Sequence, residues 1–126
     1  MTISEDNFEN VVLASPVPVL VHFWAPWCGL CRRVTPLLSR FQQEWSDQVN
    51  VFNINADENL KLANLYRLQT LPTLLFLDQG QVIQRFDVLR NREEFVRALN
   101  ALMRRHQLET GLTKGAEMIE ESWRRW

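Results

Sequence analysis

The sequence has few of the residues that build metal and phosphate sites. It contains two cysteines, two histidines and four glycines among 126 residues. A structural zinc site takes four ligands, whereas His22 falls in a predicted strand core and His106 lies far along the chain. The glycines form no phosphate-binding loop. We therefore expect neither a metal site nor a bound organic cofactor.

An excess of charge and a long apolar run are also missing. Lys and Arg number 14 against 15 Asp and Glu, for a net charge of -1, which disfavours nucleic acid and acidic membranes as partners. No apolar run approaches the roughly 18 residues of a spanning helix, and the acidic start lacks the features of a secretory signal. The expected compartment is the cytoplasm, where a close cysteine pair is more often catalytic or metal-binding than a structural staple.

What the sequence does contain predicts one folded α/β domain. Apolar residues make up 46% and charged residues 23% of the chain, a composition typical of a packed core. Apolar periodicity predicts helices and strands in alternation. The predicted helices cover residues 4–14, 29–45 and 57–67, and the predicted strands cover 17–25, 49–57 and two segments within 73–86. The last two strands should form an antiparallel hairpin at Gly80.

The C-terminal part is predicted to hold two further helices. The first begins with a capping box at Asn91 and ends at Arg104 and Arg105, and the second covers residues 113–126. We expect the two tryptophans of the second helix to pack on the domain's own surface; the alternative is an exposed patch for a partner.

Both cysteines lie in the segment FWAPWCGLC, residues 23–31. A reactive dithiol, a metal clip and the start of a buried helix are the three interpretations. Cys28 follows a predicted strand and opens a predicted helix, where unpaired N–H groups and the helix dipole favour a thiolate. Cys31 lies one helical turn later, close enough to attack a mixed disulfide between Cys28 and a substrate. The spacing therefore supports thiol–disulfide exchange.

The segment FWAPWCGLC, Pro36 in the following helix and TLPT at residues 70–73 together resemble the thioredoxin family. The resemblance runs over residues 1 to about 104 in the same order of elements. It implies a thioredoxin-like fold, a central mixed sheet with helices on both faces. Residues 1–104 would form this domain, and residues 105–126 an extra C-terminal helical extension.

The resemblance also implies roles for individual residues. Cys28 would be the catalytic nucleophile and Cys31 the resolving thiol, the two forming a redox-active disulfide. Leu71-Pro72 would carry a cis peptide bond, and the Leu71 backbone could pair with an extended substrate segment. The surface that binds the substrate would comprise Trp27, Gly29, Leu30, Leu71, Pro72 and Val88, with Trp24 packed beside the site.

Four positions depart from the family pattern. Leu30 replaces a proline and adds an N–H near Cys28, so we expect a potential less reducing than that of a typical thioredoxin. Val88 replaces a glycine of the substrate-facing surface, which predicts a different set of protein partners. His22 stands where the family has a buried aspartate, and Asn53 where it commonly has a lysine.

His22 has two interpretations. As a catalytic residue, neutral His22 would accept the proton of Cys31 when Cys31 attacks. As a core residue, it would bond a backbone carbonyl and take no part in catalysis.

The predicted function is a protein disulfide reductase, a monomer that acts on disulfide-containing proteins. It would receive electrons from a thioredoxin reductase and would hold no cofactor. One alternative is a thioredoxin-fold binding module that docks a partner through the face around Val88 or through the tail. Another is a disulfide oxidant or isomerase with a less reducing potential.

Overall fold

The computed structural model describes residues 3–86 and 92–118, with side chains described for residues 3–86 and 93–107. The chain divides into two compact units, residues 1–89 and 90–126. The strands are β1 (Val19–Trp24), β2 (Asn50–Asn55), β3 (Thr73–Asp78) and β4 (Gln81–Phe86). The helices are α1 (Glu5–Phe8), which continues as a π-helical segment (Glu9–Leu13), then α2 (Gly29–Glu44), α3 (Leu60–Leu65) and α4 (Arg92–Met118).

The four strands form one mixed sheet in the order β2-β1-β3-β4. β1 pairs with β2 in parallel through the crossover helix α2, and it pairs with β3 antiparallel. This arrangement confirms the predicted thioredoxin-like sheet. The parallel register sets His22 directly opposite Asn53.

The predicted hairpin joins β3 to β4. Its two turn residues, Gln79 and Gly80, have φ values of 52° and 81°. Positive φ at both positions suits the twist of the adjoining antiparallel strands. Glycine adopts this conformation without steric cost, which explains Gly80 at the turn.

The main core lies on one face of the sheet. Inward side chains such as Phe23, Ile54 and Leu75 are fully or almost fully buried, and Phe8 and Val12 from the N-terminal helix pack against them. Alternate residues of β1 point to the opposite face, since successive side chains of a strand change sides. His22 and Trp24 therefore share that opposite face.

The second unit contains α4, which runs unbroken through residues 104–113, where the sequence had predicted an interruption. Arginine, glutamine, leucine and glutamate favour helix in this stretch, and Gly111 costs only about 1 kcal/mol. Among the side chains described in α4, those of Phe95, Leu99, Leu102 and Met103 are buried. Residues 119–126, including both tail tryptophans, lie outside the described residues. Within the described part, no helix is long and apolar enough to cross a membrane.

Candidate active site

The two cysteines lie where β1 gives way to α2. Cys28 is the N-cap of α2, and Cys31 lies in its first turn, with 5.3 Å between their Cα atoms and a disulfide between their sulfur atoms. Both side chains are buried. The Cys31 N–H donates a hydrogen bond of 3.1 Å to Cys28 Sγ. The sequence prediction that Cys28 opens this helix is confirmed.

The same hydrogen bond influences whether Cys28 is a thiol or a thiolate. A sulfur that accepts a backbone N–H at a helix N-terminus is favoured as the thiolate once the disulfide is reduced. The sequence suggested the Leu30 N–H as an additional donor. Among the described residues, the hydrogen bond to Cys28 Sγ comes from Cys31 and none comes from Leu30.

Trp27 is the most exposed large apolar residue of this region, with 69% of its surface accessible. Its Nε1–H donates to Asp57 Oδ2 at 2.9 Å, which fixes the ring over the end of β2. Trp27, Asp57, Leu60 and Leu71 border a groove of about 240 Å³. Asp57 was not identified as a site residue from the sequence. The available signal was its position just after β2, because β1 and β2 are parallel and both end at the same edge of the sheet.

Leu71, which precedes Pro72, lies beside the disulfide. The predicted cis peptide bond between them is present. Leu71 packs against the small cluster formed by Ala25, Cys28 and Cys31. The chain thus brings Leu71, 40 residues after Cys31 in the sequence, against the two cysteines.

Of the other positions predicted to bind the substrate, Gly29 and Leu30 lie in the part of the chain that the structure describes. Gly29 and Leu30 are both exposed, and Leu30 presents 41% of its surface. A Cβ added at Gly29 would meet no atom within 4 Å. Val88 lies outside the described residues.

His22 is almost completely buried and paired with Asn53. Its Nδ1 lies 3.0 Å from Asn53 Oδ1. Burial lowers the pKa of His22, while the hydrogen bond to Asn53 acts in the opposite direction. An amide oxygen only accepts, so neutral His22 carries its proton on Nδ1. Nε2 is then a bare acceptor, buried and without a partner among the described residues.

Asn53, the partner of His22, lines the same cavity as Cys31. Asn53 and Cys31 line a cavity of about 250 Å³, together with Trp24, Ala25, Arg32 and Thr35. The sequence alone did not identify Arg32 as a site residue. Its position next to Cys31 was the available signal. Within the described residues, no group of three or more histidine, cysteine or acidic side chains is placed to hold a metal ion.

Comparison with known proteins identifies the family to which this chain is similar. A family model described as Thioredoxin matches residues 1–101. "Thioredoxin 1" of Synechococcus elongatus is 46% identical over 79 residues, which are 63% of this chain and 74% of that protein. "Thioredoxin M-type, chloroplastic" of Chlamydomonas reinhardtii is 40% identical over 63% of this chain and 56% of that protein. "Thioredoxin" of Haemophilus influenzae is 37% identical over 64% of this chain and 76% of its own length.

Thioredoxins act on disulfide substrates and are in general reduced by thioredoxin reductase. The paired Cys28 and Cys31 occupy the CxxC positions of that family. The chain therefore belongs to the thioredoxin family, and this pair makes it a thiol–disulfide oxidoreductase.

Proposed function

We propose that Cys28 is the nucleophile and Cys31 the resolving thiol in the reduction of disulfides in other proteins. The observation that carries this assignment is the hydrogen bond from the Cys31 N–H to Cys28 Sγ at the start of α2. Cys28 thiolate attacks a substrate disulfide, forms a mixed disulfide and releases one substrate thiolate, which takes up a proton. Cys31 then loses its proton and attacks Cys28 Sγ. The second substrate thiol leaves, and two electrons have passed from the dithiol to the substrate.

His22 is the proposed acceptor of the Cys31 proton. It is neutral because burial lowers its pKa. Its Nε2 carries a lone pair that accepts no hydrogen bond from the described residues. Asn53, which holds the ring, lines the same cavity as Cys31. Release of the substrate should therefore slow as the pH falls and His22 becomes protonated.

The proposed substrate surface surrounds the disulfide. Trp27 and Leu30 offer exposed apolar area, and an extended substrate segment would pair with the Leu71 backbone by strand addition. Gly29, Pro72 and Val88 complete this surface in the proposal. Gly29 leaves room close to Cys28, since a side chain there would have no neighbour to displace.

The partners follow from the chemistry. The oxidised pair has to be reduced again, and we assign this step to a thioredoxin reductase because the sequence offers no cofactor-binding motif of its own. We propose that the protein acts as a monomer in the cytoplasm. The catalytic domain would comprise residues 1–104, with residues 105–126 as a C-terminal extension.

The test is reduction of insulin disulfides by NADPH and thioredoxin reductase, together with trapping of the intermediate. The Cys31→Ser variant should accumulate a mixed disulfide with the substrate, detectable by mass spectrometry, because attack has occurred and release has not. Cys28→Ser should trap none. Equal trapping by both variants would refute the assigned order, and full biological activity of the double variant would favour a binding module.

The role of His22 is tested by single-turnover release of the substrate between pH 5 and 8. His22→Ala should slow release at neutral pH by roughly 10²-fold, the usual contribution of a positioned base, and flatten its pH dependence. Asn53→Ala serves as the comparison, since it leaves the imidazole but removes its hydrogen bond. An unchanged pH profile in His22→Ala would show that His22 is a core residue only.

A further inference from the structure

The groove bordered by Trp27 is lined in part by an irregular segment between α3 and β3, residues 68–71. All four residues of this segment line the groove. Leu71, at its end, packs against the cluster that contains Cys28 and Cys31. Segments between regular elements are generally more mobile than the elements they connect. The shape of the groove therefore depends on what fixes this segment at its two ends.

The segment begins at a left-handed turn that closes α3. Arg67 has a φ of 52°, a conformation that a residue with a Cβ adopts only at a steric cost. The Arg67 N–H donates to the Asn64 carbonyl at 3.1 Å, and the Leu68 N–H donates to the Ala63 carbonyl at 3.0 Å. This is the Schellman pattern of a helix end, in which the left-handed residue is usually glycine. An arginine at this position therefore needs support from other contacts.

Arg85 of β4 bonds this turn through both terminal nitrogens of its guanidinium. Its Nη1 donates to the Tyr66 carbonyl, and its Nη2 donates to the Arg67 carbonyl at 2.9 Å. These two carbonyls belong to the peptide groups on either side of the Arg67 Cα, the centre of the left-handed turn. A planar guanidinium holds two acceptors in a fixed geometry. Arg85 thus supports the conformation that Arg67 adopts at a cost.

Contacts on both sides of the segment connect it to the core. The Tyr66 ring, just before the turn, packs against Phe8 and Phe23, with ring centroids 5.9 and 6.1 Å apart. At the other end, Thr73 is completely buried, and its Oγ1 donates to the Thr70 carbonyl at 2.6 Å. The segment therefore runs between two attachments, the left-handed turn at its start and Thr73 at its end.

We propose that Arg85 is a positioning residue for substrate binding. By holding the turn at Arg67, it fixes residues 68–71, and with them the groove and the Leu71 backbone, in the arrangement that receives an extended substrate. This role rests on the proposed function, in which the Leu71 backbone pairs with the substrate. Arg85 acts on the turn and not on the reacting sulfur atoms, so its loss weakens substrate binding and leaves the exchange step unchanged.

The experiment compares a protein substrate with a small disulfide. The full-length protein is reduced with dithiothreitol, freed of the reagent and mixed at pH 7 with excess insulin or excess dithiobis(nitrobenzoate). A single turnover without reductase is followed by tryptophan fluorescence for insulin and by thionitrobenzoate absorbance for the small disulfide. The dependence of the rate on substrate concentration gives a half-saturating concentration, which reports binding, and a limiting rate, which reports exchange.

Arg85→Met removes both donors and keeps a long apolar side chain. It should raise the half-saturating insulin concentration about tenfold, which corresponds to 1.4 kcal/mol, and leave the limiting rate within about twofold. The reaction with the small disulfide should also stay within about twofold, because this substrate has no peptide backbone to pair with Leu71. Arg40→Met is the matched control. It makes the same chemical change at an exposed position of α2 and should leave the insulin reaction within about twofold.

A second variant tests whether Arg85 acts through the turn. Arg67→Gly introduces the residue that adopts a positive φ without steric cost, so Arg67→Gly combined with Arg85→Met should return the half-saturating insulin concentration to within about threefold of the unmodified protein. The charge at position 85 is still missing in this double variant, so recovery also excludes direct contact between Arg85 and insulin.

Three results would overturn the role of Arg85: unchanged insulin binding in Arg85→Met, equal slowing of both substrates, or no recovery in the double variant. Normal insulin reduction by the unmodified protein together with any of them rejects this role alone and leaves the proposed function intact. If the unmodified protein does not reduce insulin, the proposed function fails, and the role of Arg85 fails with it.

Discussion

His22 and Asn53 face each other across two parallel strands and replace the charged pair that the family commonly places there. Relative to that family pattern, the exchange removes a buried ionisable carboxylate from this position. A neutral imidazole costs less to bury than an ionised group, and the Asn53 amide fixes its tautomer. The proton acceptor proposed at this position, His22, is then a group whose charged form is disfavoured in the folded protein.

The lowered pKa of His22 predicts a pH dependence of stability. The unfolded chain binds this proton more readily than the folded protein, so acid favours unfolding below the ordinary histidine pKa of 6.5. The effect amounts to at most about 1.4 kcal/mol per pH unit, down to the pKa of the folded state. In guanidinium unfolding at pH 7.5 and 5.0, His22→Gln should lose less stability on acidification than the unmodified protein. An identical loss in both would contradict the assignment of a neutral buried His22.

Leu30 provides a second prediction for a single residue. The Leu30 N–H makes no hydrogen bond to Cys28 Sγ, but it contributes to the positive end of the α2 dipole next to Cys28, and proline would remove it. Leu30→Pro should make the dithiol pair more reducing by a few tens of mV, where about 30 mV corresponds to 1.4 kcal/mol. A redox titration in defined thiol buffers measures the change. A shift toward a more oxidising potential would show that Leu30 does not favour the thiolate.

The reactive cysteine pair could be predicted from the sequence because its chemistry is local, whereas the cis bond at Pro72 was implied by the resemblance to the thioredoxin family. The spacing of Cys28 and Cys31 on a helix start, and the proline at 72, are visible in short segments. The pairing of His22 with Asn53 depends on the register between β1 and β2, which the sequence does not specify. The same holds for the cavity, whose lining residues come from three separate segments.

Among the structural elements, α2 is hydrogen-bonded to the start of β2 through the side chain of Gln42. Gln42 Nε2 donates to the Val49 carbonyl, and Gln42 Oε1 accepts from the Val51 N–H, each at 2.6 Å. These bonds satisfy backbone groups near the start of β2. The link holds the helix that begins at Cys28 in a fixed position against the sheet.

Gln42→Ala should therefore lower the free energy of unfolding by about 1 to 3 kcal/mol, since two partly buried hydrogen bonds are lost. The neighbouring Gln43 is exposed, and Gln43→Ala should stay within about 0.5 kcal/mol. Chemical denaturation of both variants measures the difference. Equal effects would mean that the Gln42 bonds contribute no net stability.

Within the described residues, the periodicity of apolar residues predicted the existence of every strand and of α1, α2 and α3. It failed at α4, where the positive charges after Met103 suggested a helix end. Charges at 104 and 105 are favourable at a helix C-terminus, but they are also good helix formers inside one. Local preferences therefore could not distinguish an end from a continuation.

For the whole molecule, the family match and the buried residues of α4 end close together. The match stops at residue 101, and the last fully buried side chain described in α4 is Met103. The proposed catalytic domain needs nothing beyond this point. A chain ending at residue 107 should fold and reduce insulin with a kcat/KM within about threefold of the full chain, a difference of less than 1 kcal/mol. Loss of folding or of activity on truncation would assign the extension to the catalytic domain.

The central claim is that Cys28 and Cys31 form a reversible two-electron couple that reduces protein disulfides. A redox titration of the full chain against glutathione or dithiothreitol buffers, followed by thiol trapping, tests it most directly. We predict a single two-electron transition, abolished in Cys28→Ser, at a potential more reducing than the glutathione pool. A potential well above that pool, or no stable disulfide, would contradict a reductase.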